Sequence, residues 1–366
     1  MDKVIKSVLD ELNKEYEAYL VGGYVRDYLL GIKTYDVDIC TTALPKDIYS
    51  IFNICANNYG GAKLILDNYN IDITTFRKDS HYNKRRPMEV EYITDLKTDL
   101  MRRDFTVNTI CMDKDGKIID LLNGVNDLNN RTIKMIGDNI ERLVEDPLRI
   151  LRAIRFATVL DFNLDEELIK AIKKKYKLVN TLSKDRVKAE FSKILMSPNY
   201  RKGLKLCDEF KISEELGIEY EDVVYTKDII GMWVQVKIFD IPFTNVEKSN
   251  IINITEIINY GTVNNDTLYK YGLYANIIAG MILNISSKRI SSMYKKLPIK
   301  DRSDIAIKGN EISDLLDIHG KDINIVYEDL KDMILHKRLK NKKGDIIKYL
   351  LKRKWELCLK IIKSLF

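Results

Sequence analysis

The chain has 366 residues, 45% of them hydrophobic and only 6 of them proline, enough to bury a sizeable core in more than one domain and a composition that suits helices. Its formal charge of +6 is uneven: residues 331–366 hold 12 Lys or Arg against 3 Asp or Glu, a net of +9, which leaves the preceding residues at −3 and makes the C-terminal end the one expected to meet a polyanion. There is no signal peptide pattern and no apolar run long enough to span a bilayer, the three histidines (His81, His319, His336) lie far apart, and Cys40, Cys55, Cys111, Cys207 and Cys358 show no metal-ligand spacing, which argues against zinc and for a reduced, cytoplasmic protein.

Residues 2–15 carry Val4, Ile5, Val8, Leu9 and Leu12 on one helical stripe, which predicts a helix packed on a following sheet. Residues 19–21 then read as a short strand, Gly22-Gly23 as a tight turn, and residues 25–30 as a helix stopped by Gly31. The amides opening that helix are free to hold an anion. In Asp36-Val37-Asp38 the period of two puts both carboxylates on one strand face and Val37 and Ile39 on the other. Such carboxylates repel unless a cation sits between them, and magnesium, which takes hard oxygen ligands and shares them with substrate phosphates, is the natural guest. Alone, a Gly-Gly is an ordinary turn and an Asp-x-Asp an ordinary solvated strand end. Their order and separation single them out.

A further helix is expected from Pro45 to about Asn53, then paired strands over 62–66 and 70–77 joined by an Asp-Asn turn. Asp72, between Ile71 and Ile73, is either a strand-end carboxylate facing solvent or a third acid beside Asp36 and Asp38. Residues 77–87, RKDSHYNKRRP, read as a polar connection before a strand at 88–93, and Lys114-Asp115-Gly116 marks a hairpin. From residue 138 the period changes to about 3.6 and helices are expected to the C-terminus. Asp146 is placed to cap a helix with Pro147 in its first turn, and Asp146, Arg149, Arg152 and Arg155 step along the side opposite Ile150, Leu151 and Ile154. An Asp-Arg pair at that spacing is usually a surface ion pair worth about 0.2–0.5 kcal/mol. It could equally accept from an exocyclic amino group and donate to the adjacent ring nitrogen, a pattern that takes cytosine and adenine and rejects uracil and guanine.

Several of these stretches carry a family resemblance. YLVGGYVRDYLLGIKTYDVDICTT (19–42) resembles motif A of the nucleotidyltransferase superfamily, in the form found in class II tRNA CCA-adding enzymes and bacterial poly(A) polymerases. Asp72 before Thr74-Thr75-Phe76-Arg77, DLMRRDFTVNT (99–109), EDPLRILRAIRF (145–156) and DRVKAE (185–190) resemble later motifs in order, and residues 305–350 resemble, more loosely, the C-terminal part of Gram-positive-type members. The connection at 77–87 resembles the family's flexible loop but departs from it: Tyr82 to Arg85 is one residue short and lacks the customary acid, so the likeness carries C addition further than terminal A addition.

The resemblance implies an α/β head with a mixed or antiparallel sheet, followed by an all-helical neck, body and tail, divided as 1–127, 128–198, 199–290 and 291–366. It implies template-independent addition of C, C and A to a tRNA 3′ end from CTP and ATP, with a bacterial poly(A) polymerase or a partial CC-adding or A-adding enzyme as the rivals. Asp36 and Asp38, with Asp72 as a further candidate, would hold two Mg2+ ions about 3.5–4 Å apart. Gly23 and Arg26 would hold the triphosphate, Arg103 would reach the nucleotide, Asp146 and Arg149 would read the base, and Arg152 and Arg155 would meet phosphates, while Arg186 and Glu190 look structural. Lys337, Arg338, Lys340, Lys342, Lys343, Lys352, Arg353 and Lys354 are candidates for gripping the tRNA acceptor arm, the alternative being a solvated helix face.

Overall fold

A computed structural model describes residues 1–53, 61–83 and 86–356. Cys55 and Cys358, and the end of the altered stretch at Lys84-Arg85, lie outside the described residues. The chain forms two compact units, one of residues 1–219 and 238–242, the other of residues 220–237 and 243–366.

The first unit opens with α1 (Lys3–Leu12), capped by Asp2, whose Ile5, Val8, Leu9 and Leu12 are buried as the stripe predicts. Next come β1 (Ala18–Val21), α2 (Gly23–Leu29), β2 (Asp36–Thr41), α3 (Pro45–Phe52), β3 (Gly61–Leu66) and β4 (Tyr69–Thr75). After a hairpin of β5 (Arg77–Asn83) and β6 (Arg86–Tyr92), α4 (Leu96–Met101) precedes β7 (Cys111–Met112) and β8 (Ile118–Ile119). The six-stranded sheet runs β3-β4-β2-β1-β7-β8. It is mixed, since β2 and β4 are parallel and the other neighbours antiparallel. The β2-to-β4 connection needs a crossover, which α3 and β3 supply. The polar connection expected at 77–87 is instead β5 and the start of β6, which pair antiparallel from Arg77 opposite Tyr92 to Asn83 opposite Arg86. The strand expected at 88–93 is β6, where Met88, Val90 and Tyr92 alternate with Glu89 and Glu91, whereas β5 is polar or charged at successive positions and no apolar alternation announces it.

On β2, Val37 and Ile39 are buried while Asp36 and Asp38 stay open. The carboxylate face does not remain polar: Cys40, one step further along it, is buried with Val21, Phe76, Cys111 and Leu100. Leu100 belongs to α4, so the helix that covers this end of the face also brings the residues that follow it up to Asp38.

The unit continues through α5 (Gly124–Asn129), β9 (Thr132–Ile133), α6 (Asn139–Glu145), α7 (Leu148–Val159), β10 (Asn163–Leu164), α8 (Glu166–Lys175), α9 (Lys184–Leu195), α10 (Tyr200–Glu209) and α11 (Ile212–Leu216). The helical run expected from residue 138 is interrupted by β10, paired in parallel with β9, and by short strands at Ile218–Tyr220 and Val236–Ile238. Helix α6 ends at Glu145, and α7 starts after Asp146 as expected, with Pro147 at its first turn and Asp146 Oδ1 accepting the Leu148 N–H. A residue before proline is driven out of the helical region, and Asp146 sits extended at φ −140°, ψ 97°.

The second unit is helical: α12 (Ile229–Gln235), α13 (Asn245–Tyr260), α14 (Asn265–Ile282), α15 (Ser287–Lys295), α16 (Gly309–Leu316), α17 (Asp322–Leu335) and α18 (Lys343–Lys352). Its core includes Ile254, Ile257, Leu268, Ile290, Leu330, Ile334, Ile346 and Leu350. Trp233 is buried edge-on to Phe243, as a core residue. Helix α14 breaks at Gly272, where φ is +71°.

Candidate active site

A cavity of about 580 Å³ in the first unit is lined by Gly22, Gly23, Arg26, Asp38, Arg77, Arg102, Arg103, Asp104, Asn108, Asp146, Arg149, Arg152 and Phe156. Six arginines face three aspartates there, so the cavity is built for an anion. Seven residues expected from the sequence to act on metal or nucleotide share it: Gly23, Arg26, Asp38, Arg103, Asp146, Arg149 and Arg152.

At one end Gly22 turns with φ +75°, and a Cβ added there would lie 2.7 Å from Asp38 Oδ2. Only glycine lets the turn come that close to the carboxylate. Asp36 and Asp38 share a strand face, and Asp72, in register with Asp38 on the parallel neighbour β4, shares it too. Asn70 Nδ2 donates to Asp36 Oδ1 at 3.0 Å, and Lys63 lies 3.3 Å from Asp72. Asp38 keeps a solvent-facing surface, yet its carboxyl lies in the cavity wall. Burial there raises its pKa above the ordinary carboxylate value, Asp72 and Asp36 add to the rise, and the Arg103 guanidinium and the Gly23 N–H oppose it.

These donors fit magnesium better than a metal that demands a full protein cage. Among the described residues no three His, Cys, Asp or Glu side chains converge as a metal site, so the strand carboxylates would supply part of a shell completed by substrate oxygens. Asp72, engaged with Lys63, is the least committed of the three acids to that shell.

The cationic wall rests on buried Asp99, which accepts from Arg102 Nε at 2.9 Å, from Arg103 Nη2 at 3.3 Å and from the backbone N–H of Arg77 at 3.1 Å. Arg103 Nε is a buried donor with no hydrogen-bond partner among the described residues. Arg26 is fixed by Asp27 and by Asn108, whose Oδ1 accepts at 2.6 Å. Asp104 binds Arg152 Nε at 2.7 Å and joins the stretch after α4 to α7. Burial alone would raise the Asp104 carboxyl, but the Arg152 guanidinium, the Asn108 amide and the Phe105 N–H hold it below the usual carboxylate range.

At the other end, both oxygens of Asp146 accept from Arg186, at 3.2 and 3.1 Å, and Oδ1 also accepts the Leu148 N–H at 3.2 Å. Arg149 donates to the Arg142 carbonyl at 2.6 Å and to Glu145 at 2.9 Å. The arginine row expected on the helix surface is therefore largely inward, Arg149 and Arg155 being 7% and 9% exposed.

Arg155 does not line the cavity. It is buried 3.1 Å from Glu190, without the alignment of a hydrogen bond, and its guanidinium lies 4.1 Å from the Phe156 ring centre. Asn108, Phe156 and Arg142 join the site without being singled out by the sequence. The first two sit in stretches whose motifs are legible, whereas Arg142 has no local signal, since its task is to donate to the carbonyls of Arg102 and Arg103 far away in the chain.

In the second unit, Lys337, Arg338, Lys340, Lys342, Lys343, Lys352 and Lys354 are exposed, but three of the eight tail candidates already face acids: Lys343 faces Glu311, Arg338 lies 3.7 Å from Asp332, and Arg353 is held by Glu356 and Asp329. No helix among the described residues is long and apolar enough to cross a membrane.

Three family models match in sequence: the poly A polymerase head domain over residues 18–134, the "Probable RNA and SrmB-binding site of polymerase A" over 161–219, and tRNA nucleotidyltransferase domain 2 over 240–350. A CCA-adding enzyme of Lactococcus lactis subsp. cremoris is 31% identical over 93% of this chain and 94% of its own length. One from Anoxybacillus flavithermus is 31% identical over 96% of both. Among solved structures, the Bacillus stearothermophilus CCA-adding enzyme in complex with CTP shares the fold, with a TM-score of 0.80 at 23% identity over 97% of this chain and 99% of that one. The Thermotoga maritima CCA-adding enzyme complexed with tRNA gives a TM-score of 0.64 at 20% identity over 100% and 97%. With a mixed-sheet head, a cavity shared by Asp38 and the α7 arginines Arg149 and Arg152, and near full-length likeness at this identity, the chain belongs to the family of class II CCA-adding enzymes, which are tRNA nucleotidyltransferases.

Proposed function

We propose that this protein adds C, C and A to the 3′ end of tRNA, using CTP and ATP and releasing pyrophosphate. The observation that carries the reading is that Asp38 and the Asp146–Arg149 pair line one cavity with an excess of arginine. A nucleotide there has its phosphates near the strand acids and its base near the junction of α6 and α7. Arg26 and Arg103 bind the triphosphate, with the Gly22-Gly23 turn allowing close approach. Asp146 accepts from the exocyclic amino group of cytosine or adenine, and Arg149 donates to the neighbouring ring nitrogen. Arg186 keeps the Asp146 carboxylate aimed, which a base-reading acceptor requires. Arg152 faces the phosphates, whereas Arg155 acts through Phe156 and Glu190 rather than on the nucleotide.

Asp36 and Asp38 would hold Mg2+, which when bound would lower the pKa of the RNA 3′-hydroxyl and neutralise charge on the leaving pyrophosphate. Residues 1–127 carry the chemistry, 128–198 read the base, and 199–290 and 291–366 form a body and a basic tail that bind the tRNA acceptor arm. The protein works in the cytoplasm.

The test offers tRNA ending at the discriminator base with CTP alone, ATP alone and both. Two C residues from CTP, then one A when ATP is added, is the expected result. A long A tail would make it a poly(A) polymerase, C addition without A a partial enzyme, and no incorporation with RNA still retained a silent binding module.

A further inference from the structure

Asn108 closes the short 3₁₀ turn Thr106–Asn108 and is 7% exposed. Its two amide atoms face opposite charges. Oδ1 accepts from Arg26 Nη1 at 2.6 Å, while Nδ2 donates to Asp104 Oδ1 at 3.2 Å. The second Asp104 oxygen accepts from Arg152 Nε at 2.7 Å. A continuous relay thus runs from Arg26 on α2 through Asn108 and Asp104 to Arg152 on α7, and both arginines line the cavity.

Few side chains could stand at that point. A primary amide offers an acceptor to a guanidinium and a donor to a carboxylate at once; an aspartate offers acceptors only, and an aliphatic residue offers neither. The partners also fix which way the amide points, since the reverse orientation would set NH2 against guanidinium and oxygen against carboxylate. Asp27, the other hydrogen-bond partner of Arg26, is its neighbour on the same helix and cannot place α2 relative to anything else. Arg26 and Arg152 also share one packing surface, with guanidinium carbons 5.3 and 5.5 Å from the Phe156 ring centre.

We infer that Asn108 is a positioning residue that sets the spacing between Arg26 and Arg152, and with it the register between the phosphate end of the cavity and α7. The inference rests on the reading of Arg26 as a triphosphate ligand. Asn108→Asp keeps the contact to Arg26 but sets a second carboxylate against Asp104. Combined with Asp104→Asn, it restores the relay in reverse: the carboxylate introduced at position 108 then accepts from both Arg26 and the amide introduced at position 104, and the oxygen of that amide accepts from Arg152, while the Phe105 N–H that Asp104 Oδ1 accepts at 2.8 Å loses its partner.

The experiment measures KM and kcat for CTP and ATP, together with thermal midpoints, for the full-length chain carrying Asn108→Asp, Asn108→Leu, the reciprocal pair, and Arg26→Ala as reference. Loss of one charge-assisted bond predicts that each Asn108 variant raises KM about tenfold for both nucleotides, with kcat nearly unchanged. The reciprocal pair is expected to recover to within about threefold of the starting KM. A KM raised by Arg26→Ala but unmoved by the Asn108 variants would overturn the inference alone. A pair that regains its thermal midpoint but not its KM would show Asn108 to be merely structural. An unchanged KM in Arg26→Ala would remove the reading of Arg26 and the inference with it. Should Asn108→Leu fail to fold, Asn108→Asp and the reciprocal pair still decide between these results.

Discussion

If Asp38 holds metal as proposed, it does so at the expense of the fold. Burial and the neighbouring Asp72 and Asp36 raise its carboxyl above the ordinary value. A group raised in this way contributes fully to stability below its unfolded pKa of about 4 and loses that contribution as pH rises through the higher folded value. At neutral pH without metal, Asp38→Asn should therefore match or exceed the parent in thermal midpoint, yet lose at least about 100-fold in nucleotide incorporation. Added Mg2+ should raise the midpoint of the parent and not of the variant. A variant less stable than the parent in chelator would show that Asp38 is a structural carboxylate. Asp104 behaves with the opposite sign. Its folded pKa is depressed, so its contribution is present above about pH 4 and is lost as pH falls through the depressed value. Asp104→Asn should lower stability at neutral pH and flatten its decline in acid, measured by urea midpoints between about pH 3 and 7.

Helix α7 illustrates how one element serves two faces. Arg149 and Arg152 reach the cavity, and Arg155, one turn beyond Arg152, is buried against Glu190 of α9. Removing one partner of a buried ion pair leaves the other charge uncompensated, at a cost of about 3–5 kcal/mol. Glu190→Ala should cost a comparable amount in urea unfolding while leaving the KM for CTP nearly unchanged, and a large KM effect at preserved stability would place Arg155 back on the nucleotide. What is legible in the sequence divides along physical lines. The period of two in Asp36-Val37-Asp38 and the stripe on α1 are local, and the buried and open positions fall where those periods put them. The start of α7 is legible for the same reason: Pro147 and the capping preference both call for an extended Asp146, and its Oδ1 accepts the Leu148 N–H. Strand β5 looks like a connection in the sequence because its residues offer no apolar alternation to count, while its partner β6 shows one at Met88, Val90 and Tyr92. The inward burial of Arg149 and Arg155 depends on carboxylates and carbonyls supplied by other elements, and no wheel drawn on α7 alone contains them.

Across the whole molecule, the division of charge assigns different work to the two units, each with its own core. In the first unit, Arg102, Arg103 and Arg152 are held by aspartates at fixed distances, an order that suits the proposed recognition of a single nucleotide. The tail cations of the second unit are mostly loose. Lys337, Lys340, Lys342 and Lys352 are exposed and have no carboxylate within ion-pair distance among the described residues, whereas Arg353 is tied to Asp329, Tyr349 and Glu356. Loose lysines suit a polyanion met by counterion release, a term that depends steeply on salt and little on sequence. Replacing Lys340 and Lys342 together by Ala should weaken tRNA binding and reduce the slope of log K against log salt by about 0.7–0.9 for each phosphate no longer neutralised. It should leave the KM for CTP nearly unchanged, since neither lysine lines the nucleotide cavity. Arg353→Ala, by contrast, removes a side chain that holds Asp329 and Tyr349 on α17 and α18, so its main effect should be on unfolding rather than on the salt slope. A double variant whose salt slope equals that of the parent would take RNA binding away from this part of the tail and leave its net charge of +9 as an ordinary solvated helix face.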